Sequence, residues 1–191
     1  DFQRHTVFNI EDPLKIKIQT LQGPAFSNSF QIDLVTNWLD NLKSSISIKG
    51  DQTFTTYDGE TLRDPFIPKW VLLQNIAYNL PSEKLRADFT LTIRGPSRIP
   101  STNNRRPEQS PAYATINAQV TYAPNAGHEL YIGSENLNVF RQSNPIIRPD
   151  DIVQSDVNSP ATLFDASMIW GPIFGPRVYL GYRYTLFRHD S

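Results

Sequence analysis

The chain has 191 residues, with 18 Lys and Arg against 19 Asp and Glu and no cysteine. Its length fits one domain. The balanced charge suggests no polyanion partner and leaves no basic run for nucleic acid. The absence of cysteine excludes disulfides, thiol catalysis and thiolate metal sites.

In chain order the alternation predicts about nine strands, at 2–10, 14–21, 27–38, 42–56, 66–80, 84–95, 112–123, 128–140 and 177–187. The pattern is clearest at 85–94, where Leu85, Ala87, Phe89, Leu91 and Ile93 alternate with Arg86, Asp88, Thr90, Thr92 and Arg94. It recurs at 112–122, where Ala112, Ala114, Ile116, Ala118, Val120 and Tyr122 oppose Tyr113, Thr115, Asn117, Gln119 and Thr121. Side chains alternate faces along a strand, so each segment has one apolar and one strongly polar face. No apolar run approaches the ~20 residues of a membrane helix, and mean hydropathy is negative. A membrane β-barrel escapes both tests, because half of each strand faces water in the lumen.

Two further patterns point the same way. Connections at 11–13, 40–41, 81–83 and 124–127 are short, whereas those at 22–26, 57–65, 96–111 and 141–176 tend to be longer. Outer-membrane barrels segregate tight turns and long loops to opposite ends. Trp38, Tyr78 and Tyr122 fall near the turn ends of their strands with apolar-face parity, and Tyr182 and Tyr184 do so in the last strand. Such rings favour the headgroup layer and are expected to form a membrane girdle. The fold class predicted from these residues is all-β, an antiparallel transmembrane β-barrel.

Particular segments then carry a family resemblance. Residues Glu129-Leu-Tyr-Ile-Gly-Ser-Glu-Asn-Leu137, then Asn144-Pro-Ile146, Phe164-Asp-Ala-Ser-Met-Ile-Trp-Gly-Pro-Ile173 and Gly175-Pro-Arg-Val-Tyr-Leu-Gly-Tyr-Arg-Tyr184 follow one another. This succession resembles the C-terminal end of TonB-dependent outer-membrane receptors of Bacteroidetes type. Ser110–Gln119, Phe26–Phe30 and Pro65–Lys69 fit the same family, so the resemblance covers essentially the whole chain. It implies that residues 1–191 are about the last nine strands of a ~22-stranded barrel with a plugged lumen. The N-terminal strands, the plug and the TonB-engaging motif would then lie upstream of Asp1. The implied partners are outer-membrane lipid, the remainder of the barrel and the plug, TonB, and a surface lipoprotein or other outer-membrane proteins.

Candidate site residues are set by face and loop. Asp33, Lys43, Lys49, Arg86, Asp88, Arg94 and Arg183 share polar parity and are expected to face the lumen. Arg98, Arg105, Arg106, Arg141 and Arg148 make the two longest loops cationic and are the ligand-contact candidates, suited to an anionic solute. His5, His128 and His189 are scattered without metal-ligand spacing, and Asp150-Asp151 reads better as solvated loop than as a calcium site. Residues Gly171–Gly175 lack the rest of a phosphate-binding loop, and no Gly-x-Ser-x-Gly elbow occurs. No catalytic residue, metal or cofactor is expected.

The function implied by the resemblance is active uptake of a scarce nutrient across the bacterial outer membrane, such as a siderophore or other metal chelate, haem, cobalamin, a glycan or a peptide. Two alternatives stand beside it. One is a receptor-like barrel kept as a scaffold in a larger assembly. The other is a soluble β-sandwich binding module, which would bury its apolar faces.

Overall fold

The computed structural model describes residues 6–9, 17–21, 23–80, 84–100, 107–146 and 169–186. Its regular structure is all β. In chain order the strands are β1 (Thr6–Asn9), β2 (Lys17–Thr20), β3 (Ala25–Leu39), β4 (Leu42–Tyr57) and β5 (Glu60–Arg63). They continue with β6 (Trp70–Asn79), β7 (Leu85–Arg94), β8 (Tyr113–Asn125), β9 (His128–Glu135) and β10 (Arg177–Tyr184). Strands β3 to β10 form one eight-stranded antiparallel sheet in the order β10-β9-β8-β7-β6-β4-β3, with β5 paired to β4. β1 and β2 pair with each other as a separate two-stranded sheet.

The register carries each strand's alternation across the sheet as two faces. Leu42, Tyr78, Ala87, Val120, Ile132 and Leu180 are successive partners across six strands and define one lateral row of the apolar face. One residue along, Lys43, Ala77, Asp88, Gln119, Gly133 and Tyr179 define a row of the opposite face. A one-residue slip of β3, β4, β7, β9 or β10 would put charge on the apolar side, so the pattern specifies the register.

No second layer covers the apolar face among the described residues. Leu180 is 79% exposed, Phe30 67% and Leu34 58%, whereas among the described residues Ile99 is the one hydrophobic residue that is buried. A sandwich would bury this face against a second sheet. An exposed, continuous apolar face across a seven-strand path is what a membrane barrel wall requires.

Each of the nine expected strands overlaps an observed one, and three differences stand out. The segment 57–65, expected as a plain connection, folds back as β5. Its turn residues Asp58 and Gly59 have φ of 50° and 86°, the left-handed pair that a two-residue hairpin turn demands. β9 stops at Glu135 rather than near 140, because Asn136 takes φ 55°. β6 starts at Trp70, after Phe66 at φ 62° and an isolated bridge from Pro68 to Ser97.

The connections at 40–41, 80–84 and 126–127 share one end of the sheet, here the turn end. Those at 58–69, 95–112 and 136–176 share the other, the loop end. The loop at 95–112 rises from a stem in which Ser97 N–H donates to Ser110 Oγ at 3.0 Å and Arg98 bridges to Gln109.

Candidate functional site

Polar side chains line a cleft at the loop end of the polar face. Thr115 and Asn117 on β8, Glu135 on β9 and Arg177 on β10 share that face, and residues 171–175 fold over them. Together with Asn136 they enclose a cleft of about 390 Å³. Arg177 and Glu135 face each other in register and form an ion pair at 3.0 Å. Asn117 Oδ1 accepts the Asn136 backbone N–H at 2.9 Å.

Two buried amides hold the cleft's wall. Asn136 accepts the Phe140 N–H at 3.1 Å and donates through Nδ2 to the carbonyls of Phe140 at 2.8 Å and Phe174 at 3.2 Å. Gln142 Oε1 accepts the N–H groups of Trp170 and Gly171 at 2.9 and 3.1 Å, and its own N–H donates to the Pro172 carbonyl at 2.7 Å. These bonds clasp the two legs of the 136–176 excursion at its base. The amides satisfy backbone groups where the ladder has ended, as buried backbone polar groups require. Beside the clasp, the Tyr113 ring stacks on Phe140 at 4.9 Å and meets Trp170 at 5.7 Å.

The polar-face residues singled out from sequence lie where parity placed them, and most are paired. Lys49 bonds Asp51 at 3.0 Å, Arg86 bonds Asp88 at 3.3 Å and Arg183 bonds Glu129 at 2.8 Å. Arg183 also lies 6.0 Å over the Tyr131 ring. Asp33 accepts from Gln31 Nε2 at 2.9 and 3.1 Å. Lys43 and Arg94 form no ion pair among the described residues. These pairs are cross-strand or within-strand neighbours on one face, the unit by which a sheet balances its charges.

Of the loop arginines, Arg105, Arg106 and Arg148 lie outside the described residues. Arg98 is engaged, its Nε donating to the Arg63 carbonyl. The Arg141 guanidinium packs against Gly175. Arg98 belongs to the connection between β7 and β8, and Arg141 to the one between β9 and β10.

On the apolar face, Tyr122 and Tyr182 share a lateral row with Leu130, and Tyr78 lies in the next row. Tyr184 pairs with His128, whose Nδ1 bonds the Tyr182 hydroxyl at 2.6 Å. Trp38 sits in a bulge of the β3–β4 ladder and is 67% exposed. All five lie toward the turn end. The same face bears a second aromatic set at the loop end, absent from the sequence reading: Phe30, Phe26 stacked on Phe54 at 5.1 Å, and Trp70. The parity test applied to strand starts as well as strand ends would have found it. From Tyr78 to Trp70, β6 covers about 26 Å at ~3.3 Å per residue. Once tilted, that is comparable to the ~25 Å apolar band of a membrane barrel.

The sequence matches no family model and no curated protein. Solved structures do match. A ferric enterobactin receptor mutant of Pseudomonas aeruginosa in complex with enterobactin superposes with a TM-score of 0.61 at 16% identity, over 88% of this chain and 24% of that one. The chain shares the fold of part of that receptor. A second mutant structure of the same receptor gives a TM-score of 0.60 at 16% identity, over 87% of this chain and 23% of that one. The chain therefore spans about a quarter of the length of the receptors it matches.

Proposed function

We propose that this chain is the C-terminal part of an outer-membrane receptor of the TonB-dependent kind, which binds a scarce solute at its outer mouth and admits it on energy delivered through TonB. The observation that carries the reading is the two-faced sheet: a continuous, exposed apolar face against a face of paired charges. Lipid would cover the first, and a plug and a hydrated lumen would face the second. The remaining strands of the barrel would come from the rest of the polypeptide and satisfy the outer edges of β3 and β10, since unpaired edges in lipid are prohibitively costly. The solved receptor of matching fold is one for ferric enterobactin, which makes a ferric chelate the first solute to test among metal chelates, haem, cobalamin, glycans and peptides. The Bacteroidetes type rests on the motif succession between 110 and 184 alone. The protein's work in this reading is binding and translocation, not catalysis.

The test is made on the intact protein. It should fractionate with the outer membrane, and uptake of a radiolabelled ferric chelate should depend both on the protein and on TonB. Outer-membrane residence without any energised uptake would favour the scaffold reading. Recovery in the soluble fraction without detergent would sink the barrel assignment.

A further inference from the structure

Between the turn-end row of Tyr78 and the loop-end row of Trp70, the polar side chains on the apolar face are Thr36, Ser44, Gln74 and Ser134. Ser134 is 9% exposed and donates to the Glu135 carbonyl. The other three lie together on β3, β4 and β6. Thr36 and Ser44 are direct cross-strand partners, and Gln74 stands one row toward the loop end, in register with Ile46. All three are half-buried, and their hydrogen-bonding capacity is only partly used. Gln74 Nε2 donates to Ser44 Oγ at 2.8 Å and to the Asn75 carbonyl at 3.2 Å. Among the described residues, Gln74 Oε1 accepts no hydrogen bond, and the Thr36 and Ser44 hydroxyls donate none. Depth decides what can satisfy them. Gln74 lies midway along β6 between Tyr78 and Trp70, about 13 Å of strand from either at ~3.3 Å per residue. In the barrel reading neither water nor a lipid headgroup reaches that depth, and an open amide carbonyl in hydrocarbon is costly.

We propose that Thr36, Ser44 and Gln74 form a lateral contact for a second copy of the receptor, docked in the bilayer about a two-fold axis along the membrane normal. The contact rests on the outer-membrane barrel reading above and adds a partner to it. Such an axis keeps every residue at its own depth and sets the same surface against itself. The patch is complementary to itself, because it offers an acceptor in Gln74 Oε1 and donors in the Thr36 and Ser44 hydroxyls one row away. The Gln74 side chain already spans that row within its own sheet to reach Ser44. Each copy's amide carbonyl can therefore accept from the other's hydroxyls. Around the patch, Ile32, Leu34 and Ile76 are exposed and supply the packing. Between proteins in lipid, close packing and hydrogen bonds drive association, whereas apolar area does not. Lipid chains cover the rest of the face as well as a protein would, so the polar patch marks one strip of the wall. A convex wall meets its neighbour along such a strip, and three adjacent strands at ~4.8 Å spacing span about 10 Å.

The experiment places one cysteine at a time on the apolar face of an otherwise cysteine-free intact receptor and oxidises it in lipid vesicles. Ile46→Cys, on the strand at the centre of the patch, should give a disulfide-linked dimer. Ile116→Cys, in the same row but two strands beyond Gln74, should stay monomeric. Energy transfer between labelled copies, followed as lipid dilutes them, should show self-association that Gln74→Leu weakens on the order of tenfold. Thr36→Val should weaken it less. Gln74→Leu takes an amide off the lipid face, so insertion and thermal unfolding should match or exceed wild type. An inserted receptor that does not self-associate, equal cross-linking at Ile116→Cys, or a Gln74→Leu variant that associates as strongly as wild type overturns the contact and leaves the barrel reading standing. A different polypeptide cross-linked to Ile46→Cys in whole outer membranes, with no dimer, overturns it in favour of a foreign partner. A receptor that does not enter vesicles overturns the barrel reading, and this proposal with it.

Discussion

Tyr179 lies over Gly133, and one turn of the ladder away Tyr131 lies over Gly181 in the reverse sense. Each tyrosine is the direct cross-strand partner of the glycine it covers. A Cβ at either glycine would overlap the ring above it. The Tyr179 hydroxyl donates to Gln119 Oε1 at 3.1 Å, so one ring spans from β10 across β9 to β8. The two rings meet edge-on at 6.4 Å.

This reciprocal covering makes Gly133 and Gly181 intolerant of any side chain. Gly133→Ala or Gly181→Ala should displace a tyrosine and destabilise the β9–β10 seam by about 1–3 kcal/mol, as overpacking does. The temperature at which the intact barrel loses its compact mobility in detergent gels is the readout. An unshifted midpoint would show that the rings rearrange freely.

The apolar face should be intolerant of charge at mid-depth. Leu91 sits there, in one row with Leu34, Ile46, Gln74 and Ile116. Leu91→Arg should cost about 2–4 kcal/mol of stability in vesicles, whereas Thr92→Arg on the polar face should cost less than about 1 kcal/mol. Urea unfolding from lipid vesicles compares the two. Equal costs would contradict the assignment of the faces.

One polar pair is embedded in that apolar face. Gln74 Nε2 donates to Ser44 Oγ at 2.8 Å and to the Asn75 carbonyl at 3.2 Å. In lipid a lone amide donor has no water to turn to. Ser44→Ala alone should destabilise by about 1–2 kcal/mol, and the double change Ser44→Ala with Gln74→Leu should recover most of it. A double-mutant cycle in the same vesicle assay gives the coupling, and additive effects would mean the pair contributes nothing.

The clasp at the base of the 136–176 excursion should open when its amides are removed. Asn136→Ala leaves a Phe140 N–H and two carbonyls without their partner, a cost of about 1–3 kcal/mol. Gln142→Ala does the same for the N–H groups of Trp170 and Gly171. Proteolysis between residues 140 and 172 should speed up in both variants. Rates equal to wild type would mean that the aromatic packing of Tyr113, Phe140 and Trp170 holds the legs without them.

The strands and their facing were legible because the face pattern is local. Arg86, Asp88 and Arg94 mark the polar side of β7 without reference to any neighbour. The hairpin at β5 was legible too: Asp58-Gly59 is a turn signal, hidden by its place in a stretch marked as connection. The end of β9 was not, since Glu135, Asn136 and Leu137 continue the strand pattern and only the hydrogen bonds of the Asn136 amide stop it. The cleft was invisible for a different reason. Thr115, Glu135 and Arg177 lie on three strands, and their meeting depends on register and on the bulge between Tyr122 and Asn125. The loop arginines drew attention by charge alone, whereas the patch of Thr36, Ser44 and Gln74 stands out only once the register sets those three side by side.

β4 is longer than the apolar face requires. Gly50 stands in the row of Trp70 and Phe30, and the strand continues to Tyr57 with β3 on one side and β5 on the other. In a bilayer bounded by the Tyr78 and Trp70 rows, this ribbon stands about 23 Å of strand clear of the headgroups, at ~3.3 Å per residue. It is hydrogen-bonded along its length, so it is a stiff spike rather than a tether. On the receptor reading proposed above this hairpin would stand on the outer side of the membrane, which makes residues 54–63 a place for an epitope tag or a surface label.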